Sequence, residues 1–334
     1  MSMEWIPRML LSVALPLAAV PSAAAAAPAP SAAAVPAMDL APGVALLPGR
    51  FVPDVQPDGN TVIFRGPEGL VVIDTGRHAD HTQSIVDFAR RERAPVRVVV
   101  NTHWHLDHVG GNPRLRREFP GVRIYASSAL SGALTGFLAS YRASLEAQLE
   151  KAPSPEKAEP LRAEIAIIDA GPALAPDEIV AGSGERLLAG LRLDLHLETF
   201  AVTAGDVWVF DPRSKVLAAG DLVTLPVPFL DTACPERWGA ALDHLAKTDF
   251  KVLVPGHGPP MHRRELETYR RAFGNLLSCA ASTRGKQECI EGWMRDAGEL
   301  LGNEDPAFTR ALLDYYVGDQ LRGDPARTAK LCGR

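Results

Sequence analysis

Hydrophobic and polar positions along this chain alternate between two periods, and each switch marks an element. Asn60–Arg65 and Gly69–Asp74 are short apolar runs separated by Gly66-Pro67-Glu68, and they read as the two strands of a hairpin. His81–Arg91 changes to helical spacing with one polar face, and Val96–Asn101 returns to a valine-rich run, broken by Arg97, that reads as a strand. Ser127–Lys151 is rich in Ala, Leu and Glu and reads as a helix, Pro153-Ser154-Pro155 punctuates it, and Glu156–Ile168 predicts a second helix. Leu191–Leu197 reads as a strand, and Arg263–Leu277 and Pro306–Val317 are again helical by composition. Alternating α and β segments of this kind build layered folds, in which helices cover sheets.

Composition narrows the class. At 334 residues the chain is long enough to bury a core of two packed sheets. With 35 Lys and Arg against 40 Asp and Glu it is slightly acidic, and it holds no long basic run to neutralise phosphates, which argues against a nucleic-acid partner. The start reads as a secretory leader over residues 1–27: Arg8, the apolar Met9–Val20 with Pro16, then small residues at Ser22–Ala27. The apolar part is too short for a confident membrane span, so no stable membrane anchor is expected. An Ala/Pro linker follows over 28–38. A periplasmic or secreted location fits the four cysteines, which permit three pairings; Cys279 with Cys289 and Cys234 with Cys332 is the favoured set.

The chemistry is concentrated in Asn101-Thr102-His103-Trp104-His105-Leu106-Asp107-His108-Val109-Gly110-Gly111, directly after a strand. In extended chain His103 and His105 share a face, and the turn toward Gly110-Gly111 can bring Asp107 and His108 round to it. Imidazole nitrogen with carboxylate oxygen suits zinc better than the oxygen-only sites of calcium or magnesium. Three of the nine histidines fall here, which a plain polar loop does not need.

This run resembles the HxHxDH signature of the metallo-beta-lactamase fold superfamily. The resemblance implies an αββα sandwich, two mixed β-sheets flanked by helices, over residues 39–262, with a helical insertion at about 127–170 and a helical C-terminal extension over 263–334. Val71-Val72-Ile73-Asp74-Thr75-Gly76 is similar to the early strand whose aspartate, here Asp74, braces the metal loop. Val216-Leu217-Ala218-Ala219-Gly220-Asp221-Leu222 resembles the strand whose aspartate bridges two metals, and Val252-Leu253-Val254-Pro255-Gly256-His257-Gly258 the strand that delivers the last histidine. One signature departs: where the family carries a Gly-His-Thr-x-Gly-Asp-like run, this chain reads Ala201-Val202-Thr203-Ala204-Gly205-Asp206, so Val202 occupies a ligand position. His196, six residues upstream, is the alternative donor.

The family pattern then implies two unequal sites, with His103 and His105 plus a share of Asp221 in the first, and Asp107, His108, His257 and the other share of Asp221 in the second. The leading expectation is one zinc per chain at the second site. A competing arrangement puts the metal at His103, His105 and Asp221 and leaves Asp107 as a base. Two zinc ions per chain, or iron or manganese in place of zinc, are the alternatives for the cofactor. Asp107 and Asp221 are the candidate catalytic proton carriers. The implied activity is hydrolysis of a small acyl substrate, an ester, thioester or lactone. The alternatives are a β-lactamase, against which Asp221 stands because β-lactamases in the superfamily generally lack that aspartate, and a non-catalytic binding module. Phe229, Trp104 and the Gly49–Asp54 segment are candidate walls of the substrate pocket, with core packing the expected role of both aromatics. Oligomeric state is not legible.

Overall fold

Two sheets carry the core in the computed structural model, which describes residues 36–51 and 55–334. The expected leader, most of the linker, and residues 52–54 of the Gly49–Asp54 segment lie outside the described residues. The first sheet sets its strands side by side in chain order: β1 (Met38–Ala41), β2 (Val44–Leu47), β3 (Thr61–Gly66), β4 (Gly69–Ile73), β5 (Val96–Val100), β6 (Arg123–Ala126) and β7 (Glu178–Ile179). Its first four strands are antiparallel neighbours, and β4 through β7 are parallel. The second sheet holds β8 (Gly184–Leu188), β9 (Leu191–Glu198), β10 (Asp206–Asp211), β11 (Val216–Thr224) and β12 (Val252–His257), antiparallel until β12 joins β11 in parallel.

Side chains sort by the pleat. In β4, Val71 and Ile73 point into the layer between the sheets, while Leu70 and Val72 meet Ile85 and Phe88 of the helix Ala79–Glu92. In β10, Val207 and Val209 face the first sheet, while Trp208 and Phe210 face the helices outside the second. The result is the helix–sheet–sheet–helix sandwich expected from the sequence. β4 ends at Ile73 and β5 at Val100, each immediately before a polar residue, so the buried parallel strands deliver Asp74 and Asn101–His108 to one edge of the sandwich.

The insertion forms three helices, Ala129–Thr135, Phe137–Leu149 and Pro155–Asp169, because Gly136 interrupts what composition reads as one helix over Ser127–Lys151. Leu130, Leu138, Leu145 and Ile168 of these helices pack with Trp104, Leu106 and Val109 of the histidine-rich loop. The C-terminal helices include Arg263–Ala280, Lys286–Asp296, Pro306–Tyr315 and Pro325–Leu331; composition did not reveal Lys286–Asp296 or Pro325–Leu331. Tyr269, Phe273, Trp293 and Leu313 share one apolar cluster with Leu222 and Val223 of β11. Disulfides join Cys234 to Cys332 and Cys279 to Cys289, the favoured pairing.

Candidate metal centre

The edge is organised around Asp74, which follows β4 with a left-handed φ of 63°. One carboxylate oxygen accepts from the Thr102 amide at 2.7 Å; the other accepts from Thr102 Oγ1 at 2.7 Å and lies 2.8 Å from His108 Nδ1. Asp74 therefore ties the end of β4 to the histidine-rich loop and orients the His108 ring, with Nε2 facing the other way. Backbone comes close on the other sides: a Cβ at Gly59 would strike the His108 ring and one at Gly256 the Asp221 carboxylate.

Beyond Asp74 the polar atoms converge. His108 Nε2 lies 3.2 Å from Asp221 Oδ1 and 3.6 Å from Asp107 Oδ2, and His257 Nε2 lies 3.0 Å from Asp107 Oδ2 and 3.6 Å from Asp221 Oδ1. His103 Nε2 is 3.7 Å from Asp221 Oδ2. Among the described residues, two groups have metal-ligand spacing: His103 with His108 and Asp221, and Asp107 with His108 and His257. The Nε2 atoms of His103, His108 and His257 and both oxygens of Asp221 are buried and make no well-aligned hydrogen bond. Leaving so many buried polar atoms unpaired is costly, and the imidazole and carboxylate donors fit a zinc-type cation that would satisfy them together.

The charges agree with that fit. Burial would lower the pKa of His108, yet Asp221, Asp74 and Asp107 around it raise it well above the ordinary histidine value, so this spot favours positive charge. Burial would raise Asp107 and Asp221, but the neighbouring His108 and His257, with Arg77 beside Asp107, hold both well below the usual carboxylate range. His103 is pushed well down by burial and by His108 and His105. A low histidine pKa leaves the ring neutral, as a ligand must be.

The model of the metallo-beta-lactamase superfamily matches residues 56–257. The chain belongs to this superfamily. Its linear primary-alkylsulfatase relative from Pseudomonas sp. (strain ATCC 19151) is 28% identical over 226 residues, 61% of this chain and 42% of the relative. An atrochrysone carboxyl ACP thioesterase from Aspergillus fumigatus is 36% identical over 86 residues, 25% of this chain and 27% of the relative. The chain spans less than half the length of these curated relatives. Among solved structures, a metallo-beta-lactamase from Pontibacter korlensis is similar with a TM-score of 0.54 at 24% identity, covering 72% of this chain and 99% of that one. That likeness shows the shared fold.

Where this metallo-beta-lactamase relative departs from the family motif, the structure supplies detail. Val202 is fully buried in the apolar cluster outside the second sheet, and Thr203 donates to Asp206 through its backbone amide and its hydroxyl. Burial pushes the Asp206 carboxyl up to about 7. His196 does not supply the missing ligand: it is half-buried on β9, stacked on Trp208 with ring centroids 3.7 Å apart. His105 stands outside both close groups, and its Nε2 lies 2.9 Å from Thr232 Oγ1. That hydroxyl spends its one proton on the Val202 carbonyl at 2.9 Å, so the imidazole is the donor and Nδ1 keeps the lone pair.

Three residues near the site escaped the sequence reading. Thr232 follows the apolar Leu222–Leu230 run and carries no motif. Arg77 lies directly after Asp74-Thr75-Gly76, and its guanidinium sits 3.5 Å from Asp107 Oδ1 while pairing with Glu164 of the insertion. Arg77 was findable as a cation three residues beyond the brace; Glu164, one acid on a mixed helix, had no signal. Of the candidate pocket aromatics, Trp104 is buried against the insertion, whereas Phe229 is partly exposed, 5.5 Å from the His257 ring and 5.6 Å from Phe51.

Proposed function

We propose that this chain is an exported zinc-dependent hydrolase of a small acyl substrate, an ester, thioester or lactone, with its best-furnished zinc site at Asp107, His108 and His257. The observation that carries this reading is the convergence of three buried, unpartnered imidazole nitrogens on a buried carboxylate at the sheet edge. His103, His105 through Nδ1, and Asp221 are the donors for a second cation. When bound, zinc supplies Lewis acidity, acidifying water and polarising a carbonyl.

The protein's own groups do the rest. Asp107 and Asp221 are anionic at neutral pH, so a carboxylate oxygen of one of them accepts the proton of the attacking water and returns it to the leaving oxygen or sulfur. Asp74 holds His108 in one orientation throughout. Phe51 and Phe229, stacked beside His257, offer an apolar wall to the carbon part of a substrate. The thioesterase relative supports acyl chemistry. Export is supported by the two disulfides, which persist in oxidising compartments. Among the described residues no helix is long and apolar enough to cross a membrane.

A second reading, hydrolysis of an alkyl sulfate ester, is favoured by the length of the alkylsulfatase alignment. Against it, the cation at the ligand cluster, Arg77, is already held between Asp107 and Glu164 and is not free to take a sulfate. The zinc-loaded protein should be assayed on aryl esters, a thioester, lactones, an alkyl sulfate and a chromogenic cephalosporin, with and without a chelator. Chelator-sensitive turnover of acyl substrates supports the proposal. Turnover of the sulfate alone replaces it with the second reading, and turnover of the cephalosporin alone makes the chain a β-lactamase.

A further inference from the structure

The insertion does more than cover the sandwich. Its helix Pro155–Asp169 places Glu164 in a direct ion pair with Arg77, and the side chains of Arg77, Glu164 and Asp107 are only 10%, 7% and 7% exposed. Tyr141 of the helix Phe137–Leu149 donates to the same Glu164 oxygen at 3.4 Å, and Arg77 Nε donates to the Pro57 carbonyl at 3.2 Å. Arg77 is thus fixed at both ends of its guanidinium. Its remaining nitrogen faces Oδ1 of Asp107, while Oδ2 of the same carboxylate faces His257 at 3.0 Å and His108 at 3.6 Å.

Two physical points follow. A guanidinium opposite Oδ1 turns Oδ2 toward the histidines, so one oxygen is reserved for a cation. A full positive charge there would also compete with that cation for the carboxylate, and in a buried site the competition would be strong. Glu164 offsets that charge, so Arg77 can orient Asp107 without displacing a divalent ion. We infer that the helical insertion, through Glu164 and Arg77, positions the ligand Asp107 and sets the cation affinity of the Asp107, His108 and His257 group. Arg77 and Glu164 are positioning residues, and the inference rests on the metal-centre reading above.

The test uses the full chain with Zn2+ alone as the probe, read by competition with a chromogenic chelator, and Co2+ absorption as the spectroscopic signature. Glu164→Gln, nearly isosteric, is expected to weaken zinc binding about tenfold, the scale typical of groups that orient ligands. It should also alter the Co2+ ligand-field bands and leave the far-UV circular dichroism of the metal-free protein unchanged. Because Glu164 acts through Arg77, the double variant Arg77→Met with Glu164→Gln should bind no more weakly than Arg77→Met alone. If Arg77→Met fails to fold, the comparison of Glu164→Gln with the unaltered protein still decides. Unaltered zinc affinity and Co2+ bands in Glu164→Gln, or losses that simply add, would overturn the inference and leave the metal centre standing. An unaltered protein that takes up no zinc would overturn the metal centre itself, and this inference with it.

Discussion

Thr232 lies 2.9 Å from His105 Nε2 through the same hydroxyl that donates to the carbonyl of Val202. The backbone of the residue standing in a ligand position thereby sets, through Thr232, which nitrogen of His105 carries the proton. Thr232→Val removes the acceptor and should weaken binding of a second zinc, the one His105 would hold, about tenfold while leaving the zinc at Asp107, His108 and His257 in place, whereas Thr232→Ser should restore it. Chelator competition reads the effect. Equal affinities in all three proteins would remove His105 from the ligand set.

His257 is one of the three residues of the group proposed to hold zinc, and its buried Nε2 has no hydrogen-bond partner. His257→Ala is therefore expected to reduce zinc from about one per chain to near none by elemental analysis, with hydrolysis lost in parallel. Zinc retained in full would point instead to the His103, His105 and Asp221 arrangement.

Val202→His tests the departure from the family motif. A histidine there should raise zinc content toward two per chain. Val202 is fully buried among apolar side chains, so the larger polar ring should also lower stability by about 1–3 kcal/mol. Unchanged zinc content with lowered stability would mean that position 202 does not face the ligands.

Asp58 offers a pH test away from the ligands. Its Oδ1 accepts the amides of Arg77 and His78, each at 2.8 Å, and its Oδ2 lies 2.9 Å from His78 Nδ1. Burial would raise its pKa, but the bonds to His78 and the charges of His81 and His78 bring it down from 3.8 to about 2. The unfolded chain then binds the proton more readily, so the stabilisation is fully present above about pH 4 and is lost as pH falls toward 2. Asp58→Asn should cost about 2 kcal/mol in urea unfolding at pH 7, and the gap should narrow as the pH is lowered from about 5 to 3. A gap that is flat across that range would show that the charge of Asp58 is not what stabilises the fold.

Local pattern was enough for β3, β4, β5 and β9 and for the place of the histidine-rich loop, because side-chain period and residue type are properties of neighbouring residues, whereas β1, β2, β6, β7, β8 and β10 went unread. Val71 to Asp74 and Val96 to His108 were legible in this way, and the order of the later motifs at Asp221 and His257 completed the sandwich. Helix ends were less legible: Gly136 splits a run whose composition is uniformly helical, and Lys286–Asp296 is too charged to stand out.

What only the tertiary structure decided are the contacts between segments far apart in the chain. His196 is on the wrong strand face to replace the missing histidine, since its partner across the sheet, Trp208, takes its ring. Thr232 meets His105 across 127 positions, and Glu164 meets Arg77 across 87. No periodicity encodes such pairs. They arise because folding brings the insertion and the loop after β11 to the same sheet edge, where leaving a buried charge or ring nitrogen without a partner is costly.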